Sequence, residues 1–189
     1  EDNKEAGAKD LQMRGLTEKD AVIGIAASGR TPYTVGAVEY ARNLGCFTAC
    51  IACVPDSLLT QTVEIAIIPV VGAEAITGSS RMKAGTVQKL ILNMISTVSM
   101  IRLGYVKGNR MTNVKASNIK LKERSLRILM SETGLDEADA KNLLNDAGED
   151  LRVAIVMFRA KVDAETARKA LIQTDFVVEK SVELLNAKD

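Results

Sequence analysis

The segment AVIGIAASGRTPYTVGAVEYARNLG, residues 21–45, constrains the fold of this chain more than any other stretch. Six of the seven residues at 21–27 are apolar, which is typical of a buried strand. The apolar run stops at Ser28 and Gly29, and apolar residues then recur at helical spacing between positions 35 and 44. A buried strand that leads directly into a helix predicts an α/β fold.

The pattern on either side of this segment extends the same fold. A polar helix is predicted up to about Met13, without an N-cap signal before it, and further strands are predicted at 47–54 and 65–71. A long helix is predicted at about 81–103. Strands that are apolar on both faces indicate a parallel sheet covered by helices.

Beyond about residue 125 only helical patterns continue. The stretch LDEADAKNLLNDAGEDLRVAI from Leu135 is echoed by VDAETARKALIQTDFVVEKSV from Val162, with Asp136 and Asp163 placed to cap helices. We therefore expect repeated helical hairpins. The predicted organisation is an α/β domain at 1–104, a basic linker at 105–124 and a small all-α domain at 125–189.

Composition excludes several classes of function. Acidic and basic residues nearly cancel, at 24 and 25, and the chain has no His. The near balance gives no global field that would attract nucleic acid or a membrane surface. Without His, imidazole catalysis is excluded within this chain, so proton transfer would fall to carboxylates, Lys or Tyr. The longest apolar stretch, residues 90–103, contains Asn93 and Arg102 and is too short to span a bilayer.

The predicted linker is the strongly basic segment of the chain. Seven basic residues between Lys107 and Arg127 face only Glu123, so a nucleic-acid surface is an alternative interpretation. Apart from the nearby Tyr105, aromatic residues are not interleaved with these charges, which argues against it. We therefore expect no nucleic-acid partner.

The three cysteines, Cys46, Cys50 and Cys53, lie together in CFTACIAC. An odd number of cysteines beside a buried strand indicates reduced thiols in a cytosolic protein. A Cys50-x-x-Cys53 redox or metal pair is the alternative. It is disfavoured because the pair lies along an apolar strand rather than at a helix N-terminus.

The junction after the first strand combines the features of an anion site. Backbone N–H groups at a helix N-terminus point outward and carry partial positive charge. Ser28 and Thr31 add hydroxyl donors, and Gly29 permits a close approach to the backbone or an unusual φ. The alternative interpretation is an ordinary N-cap, with Pro32 at the first helical position.

A second segment, TGSSRMKAGT at 77–86, repeats this chemistry. Ser79 and Ser80 precede a long helix whose first turn carries Arg81 and Lys83, where cations oppose the helix dipole and suit an anion instead. Neither the phosphate loop G-x-x-x-x-G-K-[ST] nor the dinucleotide fingerprint G-x-G-x-x-G occurs in the chain. The two segments therefore predict binding of a phosphorylated small molecule rather than a nucleotide.

VIGIAASGRTPY and TGSSRMKAGT resemble the sugar isomerase (SIS) domain as it occurs in the N-acetylmuramic acid 6-phosphate etherase family. The resemblance implies a partial SIS domain of flavodoxin-like fold, followed by a small all-α domain that is ubiquitin-associated-like. It also implies a cytoplasmic carbon–oxygen lyase, which cleaves the D-lactyl ether of N-acetylmuramic acid 6-phosphate by elimination and then hydration. The products are N-acetylglucosamine 6-phosphate and D-lactate, in cell-wall amino sugar recycling, and the chemistry needs no metal or other cofactor.

Two alternatives to the etherase remain open. Glucokinase-regulatory proteins share this domain and much of both motifs, but they bind sugar phosphates without cleaving them. A non-catalytic regulatory module that binds a sugar phosphate is therefore one alternative, and a sugar-phosphate isomerase is the other.

The strands visible in the sequence are too few to bury both faces of a complete SIS sheet. We therefore expect this part to be prone to association, to be supported by a partner chain in a homodimer, or to derive from a longer polypeptide. The expected interface is the helix around residues 90–103, through an apolar face left over after covering the sheet.

The resemblance implies a catalytic role for Glu1. EDNKEAG resembles the continuation of a family segment that ends in Ala-Glu-Asp and carries one catalytic glutamate. The alternative is that Glu1 is an ordinary frayed terminal residue. The segment with the other catalytic glutamate, Ala-Ser-Glu-Cys-Pro-Pro, has no counterpart here. The chain thus resembles the C-terminal part of an etherase, and we expect this part alone to be inactive.

The implied substrate contacts lie in the two hydroxyl-rich segments and beyond them. Glu74 is placed to accept a hydrogen bond from a sugar hydroxyl, or else is a solvated loop carboxylate. The chain departs from the family pattern at Asn113, where the family has Asp, and at Ile119, where it has Glu. The substrate-binding candidates are Ser28, Gly29, Arg30, Thr31, Glu74, Ser79, Ser80, Lys83, Asn118 and Lys120.

Overall fold

The computed structural model describes residues 1–113 and 118–187. The chain divides into two compact units, Glu1–Met94 and Ile95–Asp189. The first unit is α/β with a parallel sheet, and the second consists mainly of helices, as the sequence predicts. The expected domain limits at residues 104 and 124 stay a prediction.

Three parallel strands in the order β1–β2–β3 form the sheet of the first unit. Gly24 of the first strand pairs with Cys50 of the second, and Cys50 pairs with Ala66 of the third. The elements in chain order are α1 (Lys4–Met13), β1 (Ala21–Ile25), α2 (Pro32–Asn43), β2 (Phe47–Ile51), α3 (Leu58–Thr62), β3 (Ile65–Ile67) and α4 (Lys83–Arg102).

The predicted strands are confirmed in position but are shorter than expected. They end at Ile25, Ile51 and Ile67 rather than at residues 27, 54 and 71. After β1 the chain turns at once, because the Gly29 N–H donates a hydrogen bond to the Ala26 carbonyl at 3.0 Å. Apolar character therefore continues past the end of the strand into the loop.

The core of the first unit lies between the sheet and helices α2 and α3. Val38 of α2, Cys50 of β2 and Leu59 of α3 are fully buried in one cluster. A methyl group added at Gly24 of β1 would lie 2.7 Å from a Val38 methyl carbon, so α2 packs closely on this strand. The sequence did not predict α3, since five residues make little more than one helical turn.

Two helix starts differ from the sequence prediction. The expectation that α1 lacks an N-cap is wrong, because the Asn3 side chain accepts a hydrogen bond from the Ala6 N–H at 2.9 Å. Helix α4 begins at Lys83 rather than at about residue 81. Its N–H groups are bound by the side chain of Glu74, which lies well before the helix in the sequence.

The second unit begins with the end of α4, followed by a hairpin and a group of short helices. Leu151, Ala154 and Val156 of the central helix are fully buried. The elements described are β4 (Val106–Lys107), β5 (Arg110–Met111), α5 (Ile119–Thr133), α6 (Glu137–Asp146), α7 (Leu151–Ala160), α8 (Ala164–Gln173) and α9 (Val178–Asn186).

The segment predicted as a linker contains regular structure. Its first half forms the antiparallel hairpin β4–β5, and α5 begins at Ile119 rather than near residue 125. Residues 114–117 of this segment lie outside the described residues. Strands of two residues are too short to show alternation in the sequence.

The predicted helix caps of the repeat are confirmed. Asp136 accepts a hydrogen bond from the Asp139 N–H at 2.9 Å, and Asp163 accepts one from the Thr166 N–H at 2.7 Å. Both aspartates are N-cap residues of ten-residue helices. The internal repeat therefore corresponds to a repeated helix start.

Part of the linker's positive charge is neutralised within the second unit. Lys107 and Arg110 bind Glu132 at 2.8 and 2.9 Å, and Lys122 pairs with Glu149 at 3.1 Å. Among the described residues, no helix combines the length and the apolar character that crossing a membrane requires.

Candidate functional site

The loop between β1 and α2, residues 28–31, lies at the carboxyl end of the parallel sheet. Ligands bind at this edge in open α/β sheets. Ser28 and Arg30 are exposed, and Thr31 is partly buried. The Ser28 Oγ accepts a hydrogen bond from the Arg30 N–H at 3.3 Å. The loop therefore turns tightly while Ser28 stays at the surface.

Gly29 is required at its position for two reasons. Its φ is 65°, in the left-handed region that favours glycine. A methyl group added there would lie only 2.0 Å from the Ser57 Oγ. The Leu59 N–H also donates a hydrogen bond to the Gly29 carbonyl at 3.0 Å. The loop after β2 thus packs directly against the loop after β1.

The loop after β2 is part of this edge that the sequence analysis missed. Ser57 is buried and is the N-cap of α3, and the preceding Asp56 has a φ of 52°. The available signal was the Asp-Ser pair after Pro55, since both residue types favour helix N-caps.

The N-terminus of α2 retains hydrogen-bonding capacity. Thr31 is the N-cap and Pro32 the first helical residue, as the N-cap interpretation predicted. Within the described structure, however, the Thr31 side chain makes no capping hydrogen bond. Capping therefore explains where Thr31 lies and leaves its hydroxyl available to a ligand.

Glu1 lies at the same helix start. Its backbone carbonyl accepts a hydrogen bond from the Tyr33 N–H, in the first turn of α2, at 3.0 Å. A helix and a strand separate Glu1 from the loop at 28–31 in the sequence, yet the fold brings them together. The backbone of Glu1 is anchored rather than frayed.

Glu74 caps the second hydroxyl-rich segment. Its two carboxylate oxygens accept hydrogen bonds from the N–H groups of Lys83, at 2.9 Å, and Ala84, at 3.0 Å. These bonds, that of Lys83 first, hold the pKa of the Glu74 carboxyl below its ordinary value. A carboxylate thus occupies the place at this helix start where a phosphate would bind. The sequence analysis did not predict this role for Glu74.

The chain segments that follow β1 and β2 contact each other. The Cys53 N–H donates a hydrogen bond to the Ala27 carbonyl at 2.8 Å. The pKa of the Cys53 thiol is raised, first by burial and then by the negative charge of Glu74.

The other candidates of the second segment follow Glu74 in the sequence. Ser79 is partly buried, and its N–H donates to the Ile76 carbonyl at 3.1 Å. Ser80 and Lys83 are exposed. Contacts of Ser79, Ser80 and Lys83 with a substrate stay predictions.

Asn118 and Lys120 lie in the second unit. The Asn118 side chain accepts a hydrogen bond from the Leu121 N–H at 2.9 Å and caps α5, while Lys120 is exposed. The Asn113 side chain accepts a hydrogen bond from Arg152 at 2.8 Å, and Ile119 is 78% exposed. Substrate binding by Asn118 and Lys120 stays a prediction.

The cysteines are free thiols. Burial raises the pKa of both Cys50 and Cys53, which keeps them protonated at neutral pH. A redox or metal pair needs the thiolate, so these shifts favour the interpretation as reduced thiols. Among the described residues, no group of three or more Cys, Asp or Glu is placed to hold a metal ion.

Comparison with known proteins supports the resemblance. No protein-family model matches the chain. The chain is 51% identical over 173 residues to the N-acetylmuramic acid 6-phosphate etherases of Yersinia pestis (strain Pestoides F) and Yersinia pseudotuberculosis (serotype O:1b, strain IP 31758). Each match covers 92% of this chain and 59% of the relative, so the chain spans somewhat more than half the length of these curated relatives. The resemblance to the etherases that the two motifs indicated is confirmed.

Proposed function

We propose that this chain is part of a carbon–oxygen lyase that cleaves the D-lactyl ether of N-acetylmuramic acid 6-phosphate. Its relatives carry the name of that activity. Elimination followed by addition of water converts the substrate into N-acetylglucosamine 6-phosphate and D-lactate. The observation that carries the proposal is the position of Glu1 at the start of α2, beside the loop at 28–31.

In this proposal the loop at 28–31 binds the phosphate group. The Ser28 and Thr31 hydroxyls donate hydrogen bonds to the dianion, and Arg30 and the N-terminus of α2 add positive charge. The start of α4 is a poorer phosphate site, because Glu74 already accepts its N–H groups and would repel a dianion. We therefore assign Ser79, Ser80 and Lys83, which follow Glu74 in the sequence, to the sugar.

Glu1 supplies proton transfer. The proton next to the open-chain aldehyde must leave before lactate is expelled, and the chain has no His to take it. The Glu1 carboxylate accepts this proton or returns one to the leaving oxygen. The resemblance places the second carboxylate of the pair in a segment without a counterpart here. We therefore expect the 189 residues alone to release no lactate.

The deciding experiment measures D-lactate release by a longer form of this protein, one that spans the full length of its relatives. Glu1→Gln should lower kcat by about 10²- to 10⁴-fold, the usual effect of losing a general acid or base. Phosphosugar affinity should stay unchanged. Glu5→Gln is the matched control, because it removes an exposed carboxylate from the first turn of α1.

Each other outcome of this assay contradicts part of the proposal. An undiminished rate in Glu1→Gln removes Glu1 from the mechanism. Bound sugar phosphate without lactate release favours the regulatory module, and an isomerised sugar phosphate favours the isomerase.

Ser28→Ala tests the phosphate contact. A charge-assisted hydrogen bond contributes about 1.5–3 kcal/mol, so phosphosugar binding should weaken by about ten- to a hundredfold. Affinity for the unphosphorylated sugar should not change. The melting temperature should fall only slightly, because the substitution removes one exposed hydrogen bond, from the Arg30 N–H, and Thr31 rather than Ser28 is the N-cap. Calorimetry measures both affinities, with Ser131→Ala, an exposed serine of α5, as control. Equal affinity losses for both sugars would contradict a phosphate contact.

We also propose a cytoplasmic location and a homodimer. The three free thiols support a reducing compartment. Most of α4 is exposed although much of it is apolar, which supports association of two copies through this helix. The exposed apolar residues of α4 are Leu90, Leu92, Met94, Val98, Met100 and Ile101.

The finer fold assignments are likewise our proposal. The parallel strands with ligand loops at their carboxyl ends support a portion of a flavodoxin-like SIS domain in the first unit. The short, aspartate-capped helices of the second unit support a ubiquitin-associated-like domain.

A further inference from the structure

Helix α1 packs on α2 through direct backbone contact. A methyl group added at Gly7 of α1 would lie 2.0 Å from the Tyr33 carbonyl oxygen. One added at Gly36 of α2 would lie 2.1 Å from the Lys4 carbonyl oxygen. All residues of α1 are described, and Gly7 alone among them is buried. The helices therefore meet through a glycine from each rather than through an apolar face.

Polar contacts fix the direction of α1 along α2. The Tyr33 hydroxyl donates a hydrogen bond to the Asp10 carboxylate at 2.8 Å, and Lys4 pairs with Glu39 at 2.7 Å. At the end of this contact the Tyr33 N–H binds the Glu1 carbonyl. Tyr33 thus touches this segment at three places, through its N–H, its carbonyl and its hydroxyl.

We propose that this helix contact positions Glu1 for proton transfer, with Gly7, Gly36, Tyr33 and Asp10 as the positioning residues. The inference rests on the proposed function, in which Glu1 is the acid–base residue. The loop at 28–31 is held through Gly29 against the loop after β2, whereas Glu1 is held at α2 through its backbone carbonyl. The place of Glu1 relative to the bound phosphate therefore depends on how α1 lies on α2.

Gly36→Ala is the strongest test. The added methyl meets a main-chain oxygen, which cannot rotate away, so α1 must move. A displacement of about 1 Å can cost a reaction about a hundredfold in rate. In the protein at the full length of its relatives, we expect kcat for lactate release to fall by about that factor. KM and calorimetric phosphosugar affinity should stay within about twofold, because the loop at 28–31 is untouched.

Lys9→Ala is the control for this substitution. Lys9 also lies on α1, but its side chain is exposed, so the contact of α1 with α2 is kept. We expect kcat and KM of this variant to equal those of the unsubstituted protein.

Tyr33→Phe is a milder second variant. It keeps the ring and removes only the hydrogen bond to Asp10, so kcat should fall by about tenfold or less with affinity unchanged. Tyr40→Phe is the control, because it removes a hydroxyl from the same helix. Among the described residues this hydroxyl has no hydrogen-bond partner, so kcat and KM of Tyr40→Phe should not change.

Amide hydrogen exchange of Tyr33 reports the contact independently of activity. On the same proteins, this amide should be protected in the unsubstituted form and should exchange faster in Gly36→Ala, because its acceptor is the Glu1 carbonyl.

The combined outcomes of the kinetic and exchange measurements distinguish a failure of the positioning role from a failure of the proposed function. If the Tyr33 amide of Gly36→Ala exchanges faster but kcat is unchanged, the positioning role is overturned. It is also overturned if the Tyr33 amide of this variant stays protected. Parallel losses of kcat and phosphosugar affinity overturn it too, because they show general disruption. If the unsubstituted protein releases no lactate, the proposed function fails and the positioning role falls with it. The exchange measurement then still establishes whether the helices hold Glu1.

Discussion

Gly29 is subject to two constraints that experiment can separate. Both its left-handed φ of 65° and its contact with Ser57 oppose any side chain. Gly15 has a similar φ of 70°, but a methyl group there meets nothing within 4 Å. The pair therefore distinguishes backbone strain from steric overlap.

Gly15→Ala should lower the free energy of unfolding by about 1 kcal/mol, the cost of left-handed backbone alone. Gly29→Ala should cost about 2 kcal/mol more, because overlap with Ser57 is added. Denaturant unfolding measures both. Adding Ser57→Gly to Gly29→Ala should recover part of the loss, since it removes the overlapping Oγ and Cβ atoms. Equal losses for the two single variants would contradict the steric contribution.

At the scale of single residues, the sequence predicted the loop better than the roles within it. The residues at 28–31 form the strand-to-helix loop as expected, with Gly29 at the required backbone conformation. The capping role of Glu74 was not predictable, because its partners are Lys83 and Ala84. Capping is recognised in sequence only when the cap lies within about three residues of the helix start.

Among the elements, the hairpin β4–β5 depends on one buried carboxylate. The Glu132 side chain on α5 is only 8% exposed and binds Lys107 and Arg110 from the hairpin. The hydrogen bond from Lys107, with that of Arg110 and both charges, holds the pKa of Glu132 below its ordinary value. A two-stranded hairpin this short has little stability of its own. The ion pairs with Glu132 therefore hold the hairpin to α5, in addition to the pair of Lys107 with Glu179 at 3.5 Å.

Glu132→Gln should lower the free energy of unfolding by about 1–3 kcal/mol at neutral pH, because two cations lose a charged partner. The lowered folded-state pKa makes this contribution complete above the unfolded-state pKa. It is lost as the pH falls through the folded-state value. The free energies of unfolding of the unsubstituted protein and of Glu132→Gln, measured by denaturant unfolding, should therefore become equal as the pH is lowered.

Glu165→Gln is the control for Glu132. Glu165 pairs with Lys169 on the surface, where the side chains are 78% and 70% exposed, so its removal should change stability little at any pH. A stability difference between Glu132→Gln and the unsubstituted protein that does not vary with pH would contradict the role of the Glu132 charge.

Elements with strong periodicity were predictable and short ones were not. The positions of α2 and the capped helices α6 and α8 follow from apolar spacing and from Pro32, Asp136 and Asp163. Helix α3 and the hairpin strands span five and two residues, too few for a period to repeat.

For the whole molecule, the exposed apolar side chains of α4 predict self-association. Sedimentation of the unsubstituted protein should depend on concentration, because burying these side chains against a second copy is favourable. Met94→Glu places a charge among them and should shift the protein toward the monomer.

Ile119→Glu is the control for this prediction. Ile119 is a strongly exposed apolar residue outside α4, so its substitution should leave sedimentation unchanged. Monomeric behaviour of the unsubstituted protein at every concentration would contradict association through α4.

The sequence by itself determined the α/β class, the loop after the first strand, the capped helices and the resemblance to the etherases. These features depend on residues within a few positions of one another, whose periodicity and turn chemistry are visible along the chain. Only the tertiary structure decided that Glu1 lies at the start of α2, that Glu74 occupies the start of α4 and that Gly7 meets the backbone of α2. These contacts join segments far apart in the sequence, and a carboxylate or a glycine looks the same in the sequence whether or not a distant backbone lies against it.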